Sequence, residues 1–259
     1  MCQIFNRVIY FAPQRVHNHT MATNDTPDRG GIIGGALTVA LLITLAVQNA
    51  VPPMATDMYS AAFPQITADL ATNSTMLGFT LTTFFVGFAT GQVLGGAISD
   101  QIGRRRPIVA GGIIALVGSM ICVFAPGIWV LLVGRVFQGL GGGIASSVAR
   151  AILVDVAHGK MLARAMSLIQ AIVGFAPMLA PVLGAFIITH ATWRVVFWAL
   201  AAFTLLMAAL AWFVVPESLP KERRHPGGIS RFFQGLVQVV RIRPFVGFML
   251  TNAFSSFCM

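Results

Sequence analysis

The sequence predicts an all-α membrane protein built on a bundle of six spanning helices. Three observations carry that prediction. Hydrophobic residues make up 56% of the chain and charged residues only 10%, against about a quarter charged in a soluble domain. Six apolar runs each approach the ~20 residues a spanning helix needs. Lys and Arg collect in alternate loops, the distribution that sets orientation in a membrane. The net charge of +9 would suggest nucleic acid for a soluble protein. Here the basic residues lie between apolar runs, so lipid and no nucleic acid is the expected partner.

The elements follow in order. Residues 1–30 are polar and without pattern, and read as a disordered cytoplasmic tail; Met21 opens "MATNDTPDRGG", a second candidate start. The bundle occupies 31–215, with runs at roughly 33–56, 75–98, 107–125, 129–154, 161–187 and 194–215. Residues 216–244 read as a cytoplasmic connector. Within it "GGISRFFQGLVQVVRI" sets Phe232, Phe233, Leu236, Val237 and Val240 in a helical stripe beside Arg231, Arg241 and Arg243. That pattern suits an amphipathic helix on the membrane face. A seventh run starts at Phe245 and stops at Met259, which reads as the truncated seventh helix of a fragment.

Orientation follows from the loops. Arg104–Arg106, then Lys160 and Arg164, then Lys221, Arg223 and Arg224 share one side. The loop 57–74 and the loop before Trp129 have no Lys or Arg, and the last loop on that side has only Arg194. The positive-inside rule puts the N-terminus and the basic loops in the cytoplasm. Spans two and five also share a pattern, "VGFATGQVLGGAI" from Val86 and "VGFAPMLAPVLGAFI" from Val173. Each is the middle of three spans, which suggests a 3+3 repeat of inverted topology.

Two charges stand out within the spans. Asp57 lies toward the outer end of span one, and Arg135 lies one to two turns inside span four. They share a depth, and a lone charge at mid-membrane costs about 2.5–3.5 kcal/mol on insertion scales. One reading pairs them in a cavity; the other leaves Asp57 wet and Arg135 snorkelling outward. Gln138, Gly139, Gly142 and Ser146 continue the Arg135 side of span four. That strip reads either as a cavity wall or as close helix packing through "GLGGG". The substrate-cavity set is Tyr59, Gln138, Gly139 and Gly142.

The loop "GGAISDQIGRRRP" (95–107) holds the gating set Gly96, Asp100, Gly103, Arg104 and Arg105. Gly103 permits a positive φ, and Asp100 and Arg104 stand i,i+4 in the favourable order. Asp155, with Arg150 beside it at the inner end of span four, can reach the same loop. In span five "GFAPMLAPVLGA" places Pro177 and Pro181 within one membrane helix, where each removes a backbone donor. The cysteines have no paired spacing, and the five histidines include only a short H-x-H. No metal site, cofactor or enzyme chemistry is expected.

Together these residues resemble the major facilitator superfamily, specifically the Bcr/CflA branch of 12-spanner drug:proton antiporters. "ATDMYSAAFPQI", "GGAISDQIGRRRP", "GRVFQGLGGG", "APMLAPVLGA" and the pair "TWRVVFW" and "PESLP" are similar to its motifs, in order, over about 33–220. Gln101 and Ala185 depart from the pattern. The resemblance implies the N-terminal half of a multidrug exporter in the cell inner membrane. It implies protons as coupling ion, carried by Asp57 with Arg135 as partner, and a small hydrophobic drug-like substrate. Gly174, Pro177, Pro181 and Gly184 would form the antiporter motif. The loop of Asp100 and Arg104 would dock on a C-terminal six-helix half, needed for transport and missing after Met259. Proton-coupled uptake of a small metabolite, or a non-transporting truncated membrane protein, are the alternatives.

Overall fold

A computed structural model describes residues 39–219, together with 246, 247 and 251. The N-terminal tail, the amphipathic connector helix and the seventh run otherwise lie outside the described residues. Among the described residues the chain forms eight helices and no strand: α1 (Val39–Asn49), α2 (Val51–Ser60), α3 (Phe63–Asp69), α4 (Ser74–Ile102), α5 (Arg105–Val123), α6 (Ile128–Val156), α7 (Gly159–His190) and α8 (Trp193–Val214). Five of them are long and apolar enough to cross a membrane, and the bent pair α1–α2 makes a sixth span. Even the shortest unbroken span, α5 with 19 residues, is about 28 Å long, close to the hydrocarbon thickness.

Span one departs from expectation. It is broken, with a bend of 46° between α1 and α2. Pro52 and Pro53 open α2 and have no N–H to return to the carbonyls of Gln48 and Asn49, so the ladder of α1 stops. Side chains tie the break down: Gln48 Nε2 donates to the Met207 carbonyl of α8 (2.9 Å) and Asn49 Nδ2 to the Leu45 carbonyl (2.8 Å). The span then continues to Ser60. Asp57 therefore lies inside the second half-helix. The following loop is also not plain loop, because α3 forms within it.

The other spans match the apolar runs to within a few residues. Asn73 caps α4 through a 2.8 Å bond from the Met76 amide to its Oδ1. Gly103 ends α4 at φ +99°, a conformation that favours glycine.

Helix α6 is the centre of the packing, with α4 and α5 against it and α5 in turn against α8. The α4–α6 seam depends on glycine from both sides. A Cβ at Gly87 or Gly91 would strike the Val136 or Leu140 carbonyl, and one at Gly139 or Gly143 the Phe84 or Phe88 carbonyl. Backbones can approach this closely only without side chains, and such contact replaces the hydrophobic drive that lipid removes. Helix α7 is more peripheral. It buries the line Ala176, Ala180, Gly184 and turns Phe175, Met178, Val182 and Phe186 outward.

Candidate functional site

The most buried charge belongs to Arg135, which is fully inaccessible. Four helices converge on it. Its Nη1 donates to the Ala55 carbonyl of α2 (2.9 Å) and to Gln138 Oε1 (2.6 Å). Gln138 Nε2 passes the chain on to Ser119 Oγ of α5 (2.9 Å), which donates to the Ala115 carbonyl (2.9 Å). The guanidinium carbon stands 4.5 Å from the Tyr59 ring centre and 4.7 Å from that of Phe84. Tyr59 is itself fixed by a 2.8 Å bond between its hydroxyl and Thr80 Oγ1 of α4. Burying a charge costs several kcal/mol. Two desolvated ring contacts return on the order of 2 kcal/mol each, and the charged hydrogen bonds add to that. The offset is incomplete, because Nε and Nη2 have no hydrogen-bond partner among the described residues.

The expected Asp57–Arg135 pair is not formed. Asp57 is half-buried, and its Oδ1 lies 3.0 Å from Thr56 Oγ1, whose proton is shared with the Pro52 carbonyl at 2.7 Å. The cause is angular. Ala55 and Tyr59, four apart, face Arg135, whereas Asp57 lies two residues from each, at about 200° and 160° around the helix. Depth along the span was matched; the face was not. Pro53, Thr56, Asp57 and Ser60 instead form the open, mainly polar stripe of α2.

The remaining expected cavity residues are buried at helix contacts in this conformation. Tyr59 and Gln138 serve Arg135. Gly139 faces the Phe84 carbonyl, and Gly142 faces the Val51 side chain. In the span-five set, Gly184 meets the Met58 carbonyl of α2, while Gly174 has open space around it. Pro177 and Pro181 lie inside one continuous helix.

A second cluster joins the helix ends on the side of the basic loops. Arg104 Nε donates to Asp155 Oδ2 (2.8 Å), and its Nη1 to Asp100 Oδ1 (2.6 Å) and Ser99 Oγ (2.7 Å). Its backbone N–H donates to Glu217 Oε1 (2.7 Å), and Ser218 Oγ reaches Asp155 Oδ2 at 3.2 Å. One residue thus ties α4, α6 and the segment after α8. Burial lowers the Arg104 pKa, but hydrogen bonding and charge from Asp155, then Asp100, outweigh it and hold the guanidinium above its usual value. Of the expected gating set, Asp100, Gly103, Arg104 and Asp155 come together. A Cβ on Gly103 would meet the Glu217 carboxylate, whereas Gly96 has nothing near it. Arg105 turns away and donates from Nη2 to the Trp212 carbonyl (2.8 Å). Arg150 does not join the loop either; it donates to Asn49 Oδ1 (3.1 Å). Sequence reasoning missed Glu217, although it sits in the "PESLP" stretch that ends span six.

A third cluster pins the opposite end. Asp69 Oδ2 accepts from Trp193 Nε1 (2.8 Å) and Arg194 Nη1 (2.7 Å). These bonds, Trp193 first and then Arg194, hold the Asp69 carboxyl below its usual pKa.

The family model described as Major Facilitator Superfamily matches residues 45–259. The chain is 28% identical over 218 residues to the bicyclomycin resistance protein homolog of Haemophilus influenzae, covering 84% of this chain and 55% of that protein. It is 34% identical over 168 residues to the multidrug resistance protein MdtL of Citrobacter koseri, covering 65% and 43%. The solved proton:xylose symporter XylE superposes with a TM-score of 0.63 at 17% identity, over 76% of this chain and 51% of that one. The chain thus spans about half the length of the curated relatives it matches. The six apolar spans, the glycine seam and the loop clamp are those of a multi-pass membrane protein, and the chain belongs to the Major Facilitator Superfamily, a family of transporters rather than enzymes.

Proposed function

We propose that the chain is the first half of a proton-coupled drug exporter of a bacterial inner membrane, with its N-terminus and basic loops in the cytoplasm. The observation that supports this most is the division of labour on α2. Arg135 grips one face through Ala55 and Tyr59, and a titratable carboxylate, Asp57, lies on the open polar face behind it. Asp57 is the proton carrier in this reading, and Arg135 is a positioning residue that fixes the half-helix. Protonation removes one charge from α2. A charge carried across the whole membrane gains about 2.3 kcal/mol per 100 mV, and movement of α2 through part of the field draws a fraction of that as bias. The break at Ala50 lets α2 move apart from α1. The spare N–H groups of Arg135 give the moved helix a donor site to exchange into.

The cavity for a small hydrophobic drug is bounded on this side by the α2 stripe, with Tyr59, Gln138, Gly139 and Gly142 behind it as support. The Arg104 clamp gates by opening and closing between the helix ends. A second six-helix bundle completes the route; the matched stretch covers only 55% and 43% of the relatives named for bicyclomycin and multidrug resistance.

The test is efflux of a fluorescent cation from cells expressing the gene with all coding sequence in frame. Collapse of the pH gradient should stop efflux, and Asp57→Asn should uncouple it from protons. Unchanged coupling in Asp57→Asn removes that residue from the mechanism. Accumulation instead of efflux makes the protein an uptake symporter.

A further inference from the structure

We propose that the groove between α5 and α8, at the end bearing Arg104–Arg106, is a binding site for an anionic phospholipid of the adjacent leaflet. The two helices touch where Gly112 meets Ala208. Toward the Arg105 end of α5 lies a cavity of about 510 Å³, with Arg105 and Arg106 at its mouth and Trp212 and Glu217 opposite. Its apolar lining along α5 is Val109, which is buried, with Ala110 and Ile113, which are exposed. That volume lies within the range of small-molecule sites.

The order of chemistry along the groove identifies the ligand. Ile113 is eight residues beyond Arg105, about 12 Å down the helix axis. Val117, exposed one turn further on, extends the apolar track. Cations at the rim over an apolar channel match a phosphate headgroup above an acyl chain. A soluble anion would have no use for the channel.

The charges at the rim are also not matched among the described residues. Glu217, the one acid lining the cavity there, bonds the Arg104 amide at 2.7 Å. Arg105 rests on the Trp212 carbonyl, with its guanidinium carbon 5.6 Å from that ring centre, and its other N–H groups make no hydrogen bond among the described residues. Arg106 is exposed and has no ion pair or hydrogen bond among the described residues. Two guanidinium groups lining one cavity suit a phosphodiester, and basic pockets between spans are where such headgroups bind.

The experiment uses the purified full chain in nanodiscs of brominated phosphatidylglycerol or brominated phosphatidylcholine. Tryptophan quenching is read, and the difference from Trp212→Phe isolates the ring at the site. The expected result is stronger quenching of Trp212 by the glycerol lipid. At about 1 kcal/mol per basic residue near the surface, or about fivefold each, Arg105→Gln with Arg106→Gln should lower the preference by about 30-fold. The double lysine variant should keep most of it. Equal quenching of wild-type Trp212 by both lipids would overturn the proposal, and needs only Trp212→Phe to fold, a change at a ring that is 57% exposed. Displacement of the glycerol lipid by inorganic phosphate at equal concentration would overturn the lipid assignment in favour of a free-anion site.

Discussion

Replacing Arg104 by alanine tests the clamp at the helix ends. The side chain is 9% exposed, while Asp155 is 22% and Asp100 51% exposed. The Asp155 contact is thus the better shielded. Truncating one partner of a buried pair costs about 3–5 kcal/mol, whereas a half-exposed pair such as Asp100–Arg104 contributes under about 1 kcal/mol. Glu217 is not orphaned, because it binds the backbone N–H, and Ser99 keeps its 3.0 Å bond to the Gly96 carbonyl. A loss near 3 kcal/mol follows, at the lower end because Asp155 retains some water and Ser218. For a unit of this size 1 kcal/mol moves the midpoint by about 2–4 °C, so Arg104→Ala should unfold about 6–12 °C earlier in detergent at neutral pH. Arg104→Lys should lose about half as much, since it keeps the charge and loses the fork. Asp155→Asn should cost more than Asp100→Asn. An Arg104→Ala midpoint within about 1 °C of wild type would refute the reasoning, as would equal costs for the two asparagine variants.

Two further outcomes follow from the packing and the outer cluster. Gly91→Val should destabilise by about 1–3 kcal/mol or prevent insertion, because its Cβ meets the unyielding Leu140 carbonyl; Gly96→Ala, with open space, should be neutral or slightly stabilising on the same midpoint assay. Asp69 has a folded pKa below its unfolded value near 3.9, so its contribution is present in full above that value and is lost as pH falls through the folded pKa. The midpoint difference between wild type and Asp69→Asn should therefore be constant from pH 7 to about 5 and shrink below about pH 4; a difference that grows on acidification would contradict the assignment.

The spans were legible because an apolar run of membrane length is longer than a strand or core helix of a soluble domain needs to be. Ionic clamping at Asp100, Arg104 and Asp155 was legible too, through i,i+4 spacing and shared sidedness. Three things were not. The break in span one needed the paired prolines to be read as the start of a new helix instead of the end of the old one. The glycines of span four were visible, but the matching Gly87 and Gly91 of span two became meaningful only when the two helices were set side by side. Asp57 and Arg135 were placed at a common depth, yet depth does not fix azimuth, and two residues of offset turned the carboxylate away.

Arg135 contacts the Ala55 and Tyr59 face of α2 and Asp57 lies on the other face, and this separation is the central claim. A double-mutant cycle on stability, with Asp57→Asn, Arg135→Gln and both together, measures it directly. Groups without a shared partner should be additive within about 0.5 kcal/mol. A coupling energy well above about 1 kcal/mol would mean that the two charges pair after all, and would contradict the claim.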